Sequence, residues 1–260
     1  MEILLNYSKY ITVLTGAGVS TYSGIPDFRG KGTSSETRPD MSKFNPSPLH
    51  TILADLVNRG IIKHIVSQNI DDLHLKSGVP ENKLSELHGN MMKEKCDGCH
   101  TVIRHDTQIT DKRPCICGGT FSCTLVNFHD ILDPIVFEKA KEEMKKTDLL
   151  IVMGTSLKVA PANTLPQIVS RAGMNIVVIN NEPTDLDVLA RIVYHNDILT
   201  VLTDIYNHVT KDTNLEITPT ISNGFLVNFK RIEPWNCDKC TFLNRMRMNE
   251  CEICEINRFS

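Results

Sequence analysis

Four short apolar runs, rich in β-branched residues and separated by stretches of helical pattern, most constrain what this chain can fold into. The runs cover residues 10–15, 61–67, 148–153 and 174–179, and the helical stretches cover residues 48–58, 137–146 and 162–172. Strands that are buried on both faces have this composition, and the helices between them join parallel neighbours. We therefore predict an α/β fold with a parallel sheet covered by helices on both faces.

Small or polar residues directly follow each run. They are Gly16-Ala17-Gly18, Gln68-Asn69-Ile70-Asp71, Gly154-Thr155-Ser156 and Asn180-Asn181. In open α/β sheets, ligands bind beyond the carboxyl ends of the strands, which is where these residues would lie. Any one segment could be only a tight turn, but the four together favour a binding crevice at this edge.

Charge and hydropathy argue against two classes of partner. The 260 residues carry 28 Lys and Arg against 31 Asp and Glu, a formal net charge of −3, which disfavours general nucleic-acid binding. The longest apolar runs, residues 149–153 and 176–179, are far shorter than the ~20 residues that a membrane span requires. We therefore expect no membrane partner, and direct binding of nucleic acid is disfavoured.

Eight of the nine cysteines fall in two clusters, which favours metal binding in a reducing, intracellular compartment over a disulfide framework. The first cluster predicts a closed four-thiolate site for structural zinc, with ligands Cys96, Cys99, Cys115 and Cys117. Cys123 is the alternative fourth ligand, although a lone cysteine between apolar residues is more typical of a core position.

The second cluster lies near the C-terminal end of the chain. It predicts a second structural zinc, held by Cys237, Cys240, Cys251 and Cys254. We expect residues 213–232 to be a linker and residues 233–260 to be a small finger. So short a segment cannot build a hydrophobic core, so the metal must supply its folding free energy.

Gly16 and Gly18 belong to a longer string that is more specific than the G-x-G pattern alone. A lone G-x-G is weak evidence, but residues 16–30 read GAGVSTYSGIPDFRG, which resembles the sirtuins, the NAD-dependent protein deacylases. The resemblance continues through residues 67–74, 87–90, 154–156 and 178–181, and spans roughly residues 9–205. It implies a Rossmann-like catalytic domain over residues 1–212, with a small zinc-binding module inserted at residues 92–123.

Two segments are most similar to the class IV branch of that family, whose members are largely nuclear. They are residues 84–91 and 154–161, together with Leu165-Pro166. The resemblance therefore favours the nucleus over the cytoplasm, and makes chromatin one candidate source of substrate.

The resemblance also implies the chemistry. NAD is consumed as a co-substrate: nicotinamide leaves, and the acyl oxygen of a modified lysine attacks the exposed ribose carbon, so that the acyl group is transferred to ADP-ribose. His88 matches the base that activates a ribose hydroxyl, a task that suits an imidazole titrating near neutrality, and Asn69 and Asp71 match the residues beside it. The implied NAD contacts are Gly16, Ala17, Gly18, Thr21, Asp27, Phe28, Arg29, Gln68, Asn69, Asp71, His88, Gly154, Ser156, Asn180 and Glu182.

Three positions depart from the family pattern. Asp72 stands where a glycine is usual, and residues 31–45 form a short polar segment without the usual aromatic residue. Residues 125–130 resemble the class IV variant of the acyl-lysine segment only loosely, with Phe128 in place of its Trp. We expect looser closure over NAD or faster release of nicotinamide, and the preferred acyl group stays open.

The C-terminal cysteine pattern, which begins at Trp235 and includes Asn244, resembles the zinc finger named after the Ran-binding nucleoporin. Thr241-Phe242 and Ile253 resemble the ubiquitin-binding branch of these fingers, and would form an apolar spot on the ribbon. The alternative is that these side chains only fill a miniature core. Arg245 and Arg247 leave RNA open, but no aromatic stack accompanies them.

These observations leave a leading function and two alternatives. The leading one is an NAD-dependent protein-lysine deacylase, a transferase that acts on an acyl-lysine protein and binds ubiquitin through its finger. The alternatives are a mono-ADP-ribosyltransferase and a non-catalytic scaffold that holds NAD or ADP-ribose and is recruited through its finger.

Overall fold

A computed structural model of the chain describes residues 1–26, 39–127 and 130–210, together with the backbone of two short strands at residues 235–236 and 243–244. The strands are β1 (Ile11–Thr15), β2 (Ile62–Ser67), β3 (Leu84–Glu86), β4 (Lys93–Cys96), β5 (Val102–Arg104), β6 (Arg113–Pro114), β7 (Thr120–Cys123), β8 (Leu149–Met153), β9 (Asn175–Ile179), β10 (Ile192–Tyr194), β11 (Trp235–Asn236) and β12 (Leu243–Asn244). The α-helices are α1 (Glu2–Tyr7), α2 (Ala17–Ser20), α3 (Pro48–Asn58), α4 (Leu73–Lys76), α5 (Pro134–Lys146), α6 (Leu165–Arg171) and α7 (Ile198–Thr210).

Six strands form one sheet in the order β3-β2-β1-β8-β9-β10, and every neighbouring pair is parallel. This confirms the predicted parallel α/β sheet, and the order is that of the Rossmann fold. The order reverses between β1 and β8, so the loops after these two strands border the crevice where such sheets bind their ligands.

The sheet is covered on both faces, as its composition requires. All five residues of β1 and of β8 are buried, which explains why these strands are continuous apolar runs rather than alternating ones. One face packs against α3 and α7 through side chains such as Leu53 and Leu202. The other face packs against α5 and α6 through Met144 and Leu165. Each such fully buried side chain contributes about 1.5–3 kcal/mol of transfer free energy.

Local signals set the helix boundaries. The predicted stretch 48–58 is α3, which begins after Ser47, whose backbone N–H donates to His50 Nδ1 at 3.3 Å. Helix α5 begins three residues before the predicted stretch, because Asp133 caps it by accepting from the Ile135 N–H at 2.9 Å. The stretch 162–172 divides into a 3₁₀ turn, Ala162–Thr164, and α6.

A second sheet lies between β3 and α5 along the chain. It is antiparallel, in the order β5-β4-β7-β6, and carries the first cysteine cluster. A small apolar cluster that includes Ile70, Leu73 and Met92 joins this zinc module to the loop after β2. Among the residues that the structure describes, no helix has the length and apolar character needed to cross a membrane.

Candidate active site

The loops after β1 and β8 pack directly on each other at the point where the strand order reverses. The Gly18 N–H donates to the Gly154 carbonyl at 2.8 Å, and the Gly16 N–H donates to the Met153 carbonyl at 3.2 Å. A Cβ on Gly18 would lie 2.7 Å from Gly154 Cα, and one on Gly16 would lie 2.5 Å from Thr155 Cβ. Glycine is therefore required here for the contact between the two loops, a reason that the sequence pattern alone did not reveal.

Asn69 and Asp71, which follow β2, are held together by Ser20 of helix α2. The Asn69 side-chain amide donates to Ser20 Oγ at 2.9 Å and to the Gly16 carbonyl at 3.1 Å. Ser20 Oγ in turn donates to Asp71 Oδ2 at 2.6 Å. Ser20 lies within the same glycine-rich string, but nothing in the sequence pattern indicates this bridging contact. It connects the loop after β1 to the two polar residues predicted to face NAD.

Burial governs the electrostatics of Asp71, which is only 4% exposed. Burial raises the pKa of this carboxyl above 3.8, and the hydrogen bonds from Ser20 and from the Leu73 N–H act in the opposite direction. The effect of burial is larger than that of these hydrogen bonds, so the pKa of Asp71 is raised overall.

His88 lies in the loop after β3 with a defined tautomer. Its Nδ1 is 2.7 Å from the Gln68 carbonyl oxygen. Because a carbonyl can only accept, the hydrogen is on Nδ1 and the lone pair is on Nε2. Burial lowers the pKa of His88 below 6.5, an effect that the Gln68 carbonyl partly offsets. His88 is therefore a neutral imidazole near pH 7, with Nε2 able to accept a proton.

Gly89 allows this loop its close packing. Its φ is +75°, and a Cβ there would lie 1.9 Å from the Thr124 carbonyl oxygen. The Val126 N–H donates to the His88 carbonyl at 2.9 Å, which ties the loop to the segment after β7. The His88 backbone is therefore held from two sides.

The remaining predicted contacts lie along the same edge of the sheet. The Gln68 side-chain amide donates to Thr155 Oγ1 at 2.9 Å, which joins the loops after β2 and β8. Asn180 follows β9 and donates to the Glu182 carbonyl at 2.7 Å. Thr155 is a contact that the sequence analysis missed, although it stands within the predicted Gly-Thr-Ser segment.

The structure thus places most of the predicted site residues at one edge of the sheet. Residues Gly16, Ala17, Gly18, Thr21, Gln68, Asn69, Asp71, His88, Gly154, Ser156, Asn180 and Glu182 follow, or directly neighbour, the carboxyl ends of strands β1, β2, β3, β8 and β9. Asp27, Phe28 and Arg29 lie outside the described residues, so their predicted contact with NAD stays a prediction.

The residues present fit a dinucleotide. The crevice borders the point where the strand order reverses, as dinucleotide sites of this fold do. Its edge carries a buried amide and carboxyl, Asn69 and Asp71, and a neutral imidazole, His88. Such groups can bind ribose hydroxyls and accept a proton from one of them.

The first cysteine cluster has the geometry of a zinc site. The Sγ atoms of Cys96, Cys99, Cys115 and Cys117 all lie within 4.8 Å of one another. The Cys96–Cys117 and Cys99–Cys115 sulfur distances are 3.5 and 3.8 Å, close to the about 3.8 Å that tetrahedral zinc with Zn–S bonds of about 2.3 Å requires. Cys123 lies apart from the cluster, with Sγ 3.7 Å from the Asn90 carbonyl oxygen. The predicted ligand set is therefore the one that the fold brings together.

Comparison with known proteins agrees with this site. A model of the Sir2 family matches residues 33–161. An NAD-dependent protein deacetylase of Geobacillus kaustophilus is 35% identical over 220 residues, covering 72% of this chain and 88% of the relative. The NAD-dependent protein deacetylase SRT1 of Arabidopsis thaliana is 36% identical over 237 residues, covering 84% of this chain and 49% of the relative. The chain therefore spans about half the length of the plant relatives it matches.

Solved structures show the same likeness. A crystal structure of a Sir2 homologue–NAD complex superposes with a TM-score of 0.71 at 30% identity, covering 81% of this chain and 93% of the other. A Sir2–p53 peptide–NAD⁺ structure superposes with a TM-score of 0.67 at 30% identity, covering 80% and 97%. With the strand order of the Rossmann fold, a four-cysteine cluster in the expected place and relatives that are 35–36% identical, this chain belongs to the Sir2 family.

Proposed function

We propose that this chain is an NAD-dependent protein-lysine deacylase that releases nicotinamide and forms O-acyl-ADP-ribose. The observation that carries the proposal is His88, whose Nδ1–H is committed to the Gln68 carbonyl so that Nε2 is left as a base. The names of the relatives support the same activity, since they are NAD-dependent protein deacetylases. The p53 peptide bound to a related structure supports a protein substrate.

Each site residue has a task in this reaction. Bound NAD supplies a ribose carbon that becomes electrophilic as nicotinamide leaves. His88 Nε2 would accept the proton of a ribose hydroxyl, and Asn69 and Asp71 would hold the nicotinamide ribose in place. Because Asn69 and Asp71 are at most 6% exposed, their groups act with little competition from water.

The activity is tested by supplying NAD with a panel of acyl-lysine peptides, from acetyl to longer chains, and measuring both products by mass spectrometry. His88→Ala should lower kcat at least about 100-fold while ADP-ribose binding is retained, because only the base is removed. His208→Ala is the matched control, since His208 lies at the end of α7, bonded to Asn6, and should be fully active. Absence of nicotinamide with every peptide, or full activity of His88→Ala, would refute the proposal.

Two further measurements separate the alternative functions. Labelled NAD that ends on protein rather than on O-acyl-ADP-ribose would indicate mono-ADP-ribosyl transfer. Binding of NAD by calorimetry without nicotinamide release would indicate a scaffold.

The C-terminal finger is part of the proposal. Its cysteines and Thr241, Phe242 and Ile253 lie outside the described residues. The backbone of β11 and β12 forms an antiparallel pair in which Trp235 stands opposite Asn244, the two residues that frame the finger pattern. This pairing supports a small ribbon, for which we propose a second zinc held by Cys237, Cys240, Cys251 and Cys254.

Zinc stoichiometry tests the finger. The purified chain should contain two zinc ions, Cys237→Ser should leave one, and Cys123→Ser, outside the first cluster, should leave both. A single zinc in the unaltered chain would contradict a second site.

We further propose that the finger binds ubiquitin. Phe242→Ala should abolish capture on immobilised ubiquitin with the zinc content unchanged, because the apolar spot is lost while the ligands remain. Survival of binding would show that the recognised surface lies elsewhere.

The class IV assignment and a nuclear location with chromatin substrates are also proposals, supported by the segments at residues 84–91 and 154–161. Imaging of the tagged chain and activity on acetylated histones against other acetylated proteins would test them.

A further inference from the structure

Asp72 is a buried charge at an unfavourable backbone position, directly beside the Asp71 that the proposed reaction uses. It is the N-cap of α4 with φ +68°, in the left-handed region that costs a residue other than glycine about 1 kcal/mol or more. Its carboxylate is fully buried, with 0% of the side chain exposed. A buried charge is tolerated only where a partner compensates it, so the Asp72 carboxylate requires one.

That partner comes from the zinc module. Arg104, the last residue of β5, donates its Nε to both Asp72 oxygens, at 2.9 and 3.1 Å, and its terminal nitrogen also contacts Oδ2. The Asn90 side-chain amide donates to Asp72 Oδ1 at 2.8 Å. The guanidinium therefore binds the carboxylate as a fork, the geometry that makes arginine specific for carboxylates.

The contacts join three segments at one carboxylate. Asp72 ends the loop that carries Asn69 and Asp71, and Asn90 ends the loop that carries His88. Arg104 belongs to the sheet that holds the zinc ligands. The two side chains of the pair also differ in exposure: 41% of the Arg104 side chain is exposed, whereas the Asp72 side chain is fully buried.

This asymmetry predicts unequal consequences of removing each partner. Without Arg104, the buried Asp72 carboxylate would have no cation beside it and would keep only the Asn90 amide, so that moving the loop toward water becomes favourable. That movement would displace Asn69 and Asp71. Without Asp72, the exposed guanidinium could turn to solvent, and a glycine would keep the left-handed backbone without strain.

We propose that Arg104 is a positioning residue that compensates the buried Asp72 carboxylate, so that the catalytic loop keeps its place only while the zinc module supplies this guanidinium to it. The inference rests on the proposed deacylase function for its kinetic readout, but its binding readout is independent of turnover.

The test is a double-mutant cycle in the whole 260-residue chain. Arg104→Gln should lower kcat/KM for NAD about 10- to 100-fold, since a displacement of about 1 Å has effects of this size. Asp72→Gly should stay within about threefold of the unaltered chain, and Asp72→Gly added to Arg104→Gln should restore activity to that level, because no carboxylate is then left uncompensated at position 72. Zinc content should be the same in all four proteins.

Arg113→Gln is the matched control. Arg113 is also an arginine of the zinc module, 46% exposed, and it also pairs with a buried carboxylate, Glu94, which is 2% exposed. That carboxylate lies within the module itself rather than on the catalytic loop. Arg113→Gln should therefore leave kcat/KM for NAD within about threefold, even where it lowers the melting temperature.

Two results would overturn the inference: Arg104→Gln with unchanged kinetics, or a loss that Asp72→Gly does not restore while zinc is retained. If the unaltered chain forms no nicotinamide, the proposed function fails, and the cycle is then measured as ADP-ribose affinity by calorimetry. The same loss and rescue are expected there. Equal affinity in all four proteins would overturn the coupling.

Discussion

At the scale of single residues, the working state of the site is decided by burial and by one backbone carbonyl. His88 combines a lowered pKa with a fixed tautomer, since the Gln68 carbonyl keeps the hydrogen on Nδ1. A neutral imidazole of this kind can accept a proton over the whole neutral range. Asp71 has the opposite shift, because burial raises the pKa of a carboxyl and lowers that of an imidazole.

The lowered pKa of His88 predicts the acid limb of the pH–rate profile. The base works only when neutral, and its pKa lies below 6.5. We expect kcat/KM for NAD to stay level from about pH 8 to about pH 7, then to fall about tenfold per pH unit once the pH is below that pKa. Initial rates of nicotinamide release at constant ionic strength would measure this.

Asp71→Asn is the control that assigns this limb, because the raised pKa of Asp71 would place a second titration in the acid range. If the limb is due to His88, it should stay in place in Asp71→Asn, although the rate is lower. A limb that begins above pH 7, or one that disappears in Asp71→Asn, would contradict the assignment to His88.

At the scale of elements, the site depends on two turns that touch. Strands β1 and β8 lie side by side, so their turns must share the space beyond the carboxyl edge. The backbones come within hydrogen-bonding distance only because Gly18 and Gly154 lack side chains. The glycines that a sequence motif associates with a phosphate thus also fix the shape of the crevice.

Gly18→Ala should lower NAD affinity at least about tenfold, because its Cβ would meet Gly154 Cα at 2.7 Å and separate the two turns. Gly173→Ala is the matched control: its φ is +71°, but a Cβ there meets nothing within 4 Å. It should lower the free energy of unfolding by about 1–2 kcal/mol and leave NAD affinity unchanged. Calorimetry and denaturant titration measure the two effects, and equal NAD affinities in both variants would contradict this role of Gly18.

At the scale of the whole molecule, burial of histidines links stability to pH. Burial lowers the pKa of His50 and of His64 to about 4, and lowers that of His74 well below 6.5. The unfolded chain therefore binds more protons than the folded one as the pH falls below 6.5, so stability is present above that pH and is lost on acidification. Asp71 and Glu86, whose pKa values are raised by burial, oppose this loss at lower pH.

His64→Gln should reduce the steepness of this loss. His64 Nε2 lies 2.8 Å from Ser85 Oγ, a contact that a glutamine amide can replace without titrating. Between about pH 6.5 and pH 5, the slope of the free energy of unfolding against pH should fall by about 1.4 kcal/mol per pH unit relative to the unaltered chain. Denaturant titrations of both proteins would measure it, and acid effects on the zinc thiolates cancel in the comparison. Identical slopes would show that His64 does not contribute.

What could be read from the sequence is what depends on local pattern. The buried runs became parallel strands because apolar, β-branched segments between helices have few other ways to be covered. The zinc ligand set followed from cysteine spacing, and Cys123 lies outside it as a lone cysteine tends to. The apolar pattern predicts a start at residue 137 for α5, which is three residues too late. The pattern begins only after the Asp133 cap and Pro134, so it does not show the first turn of the helix.

The sequence by itself determined the sheet, the family and the positions of the polar residues that follow the strands. Only the tertiary structure decided how those residues act: Ser20 bridges Asn69 and Asp71 across about fifty positions of the chain, and Arg104 reaches Asp72 from 32 positions away. The physical reason is that local periodicity sets which face a side chain occupies. Its hydrogen-bond partner, its tautomer and its pKa are set by groups that packing brings from distant segments.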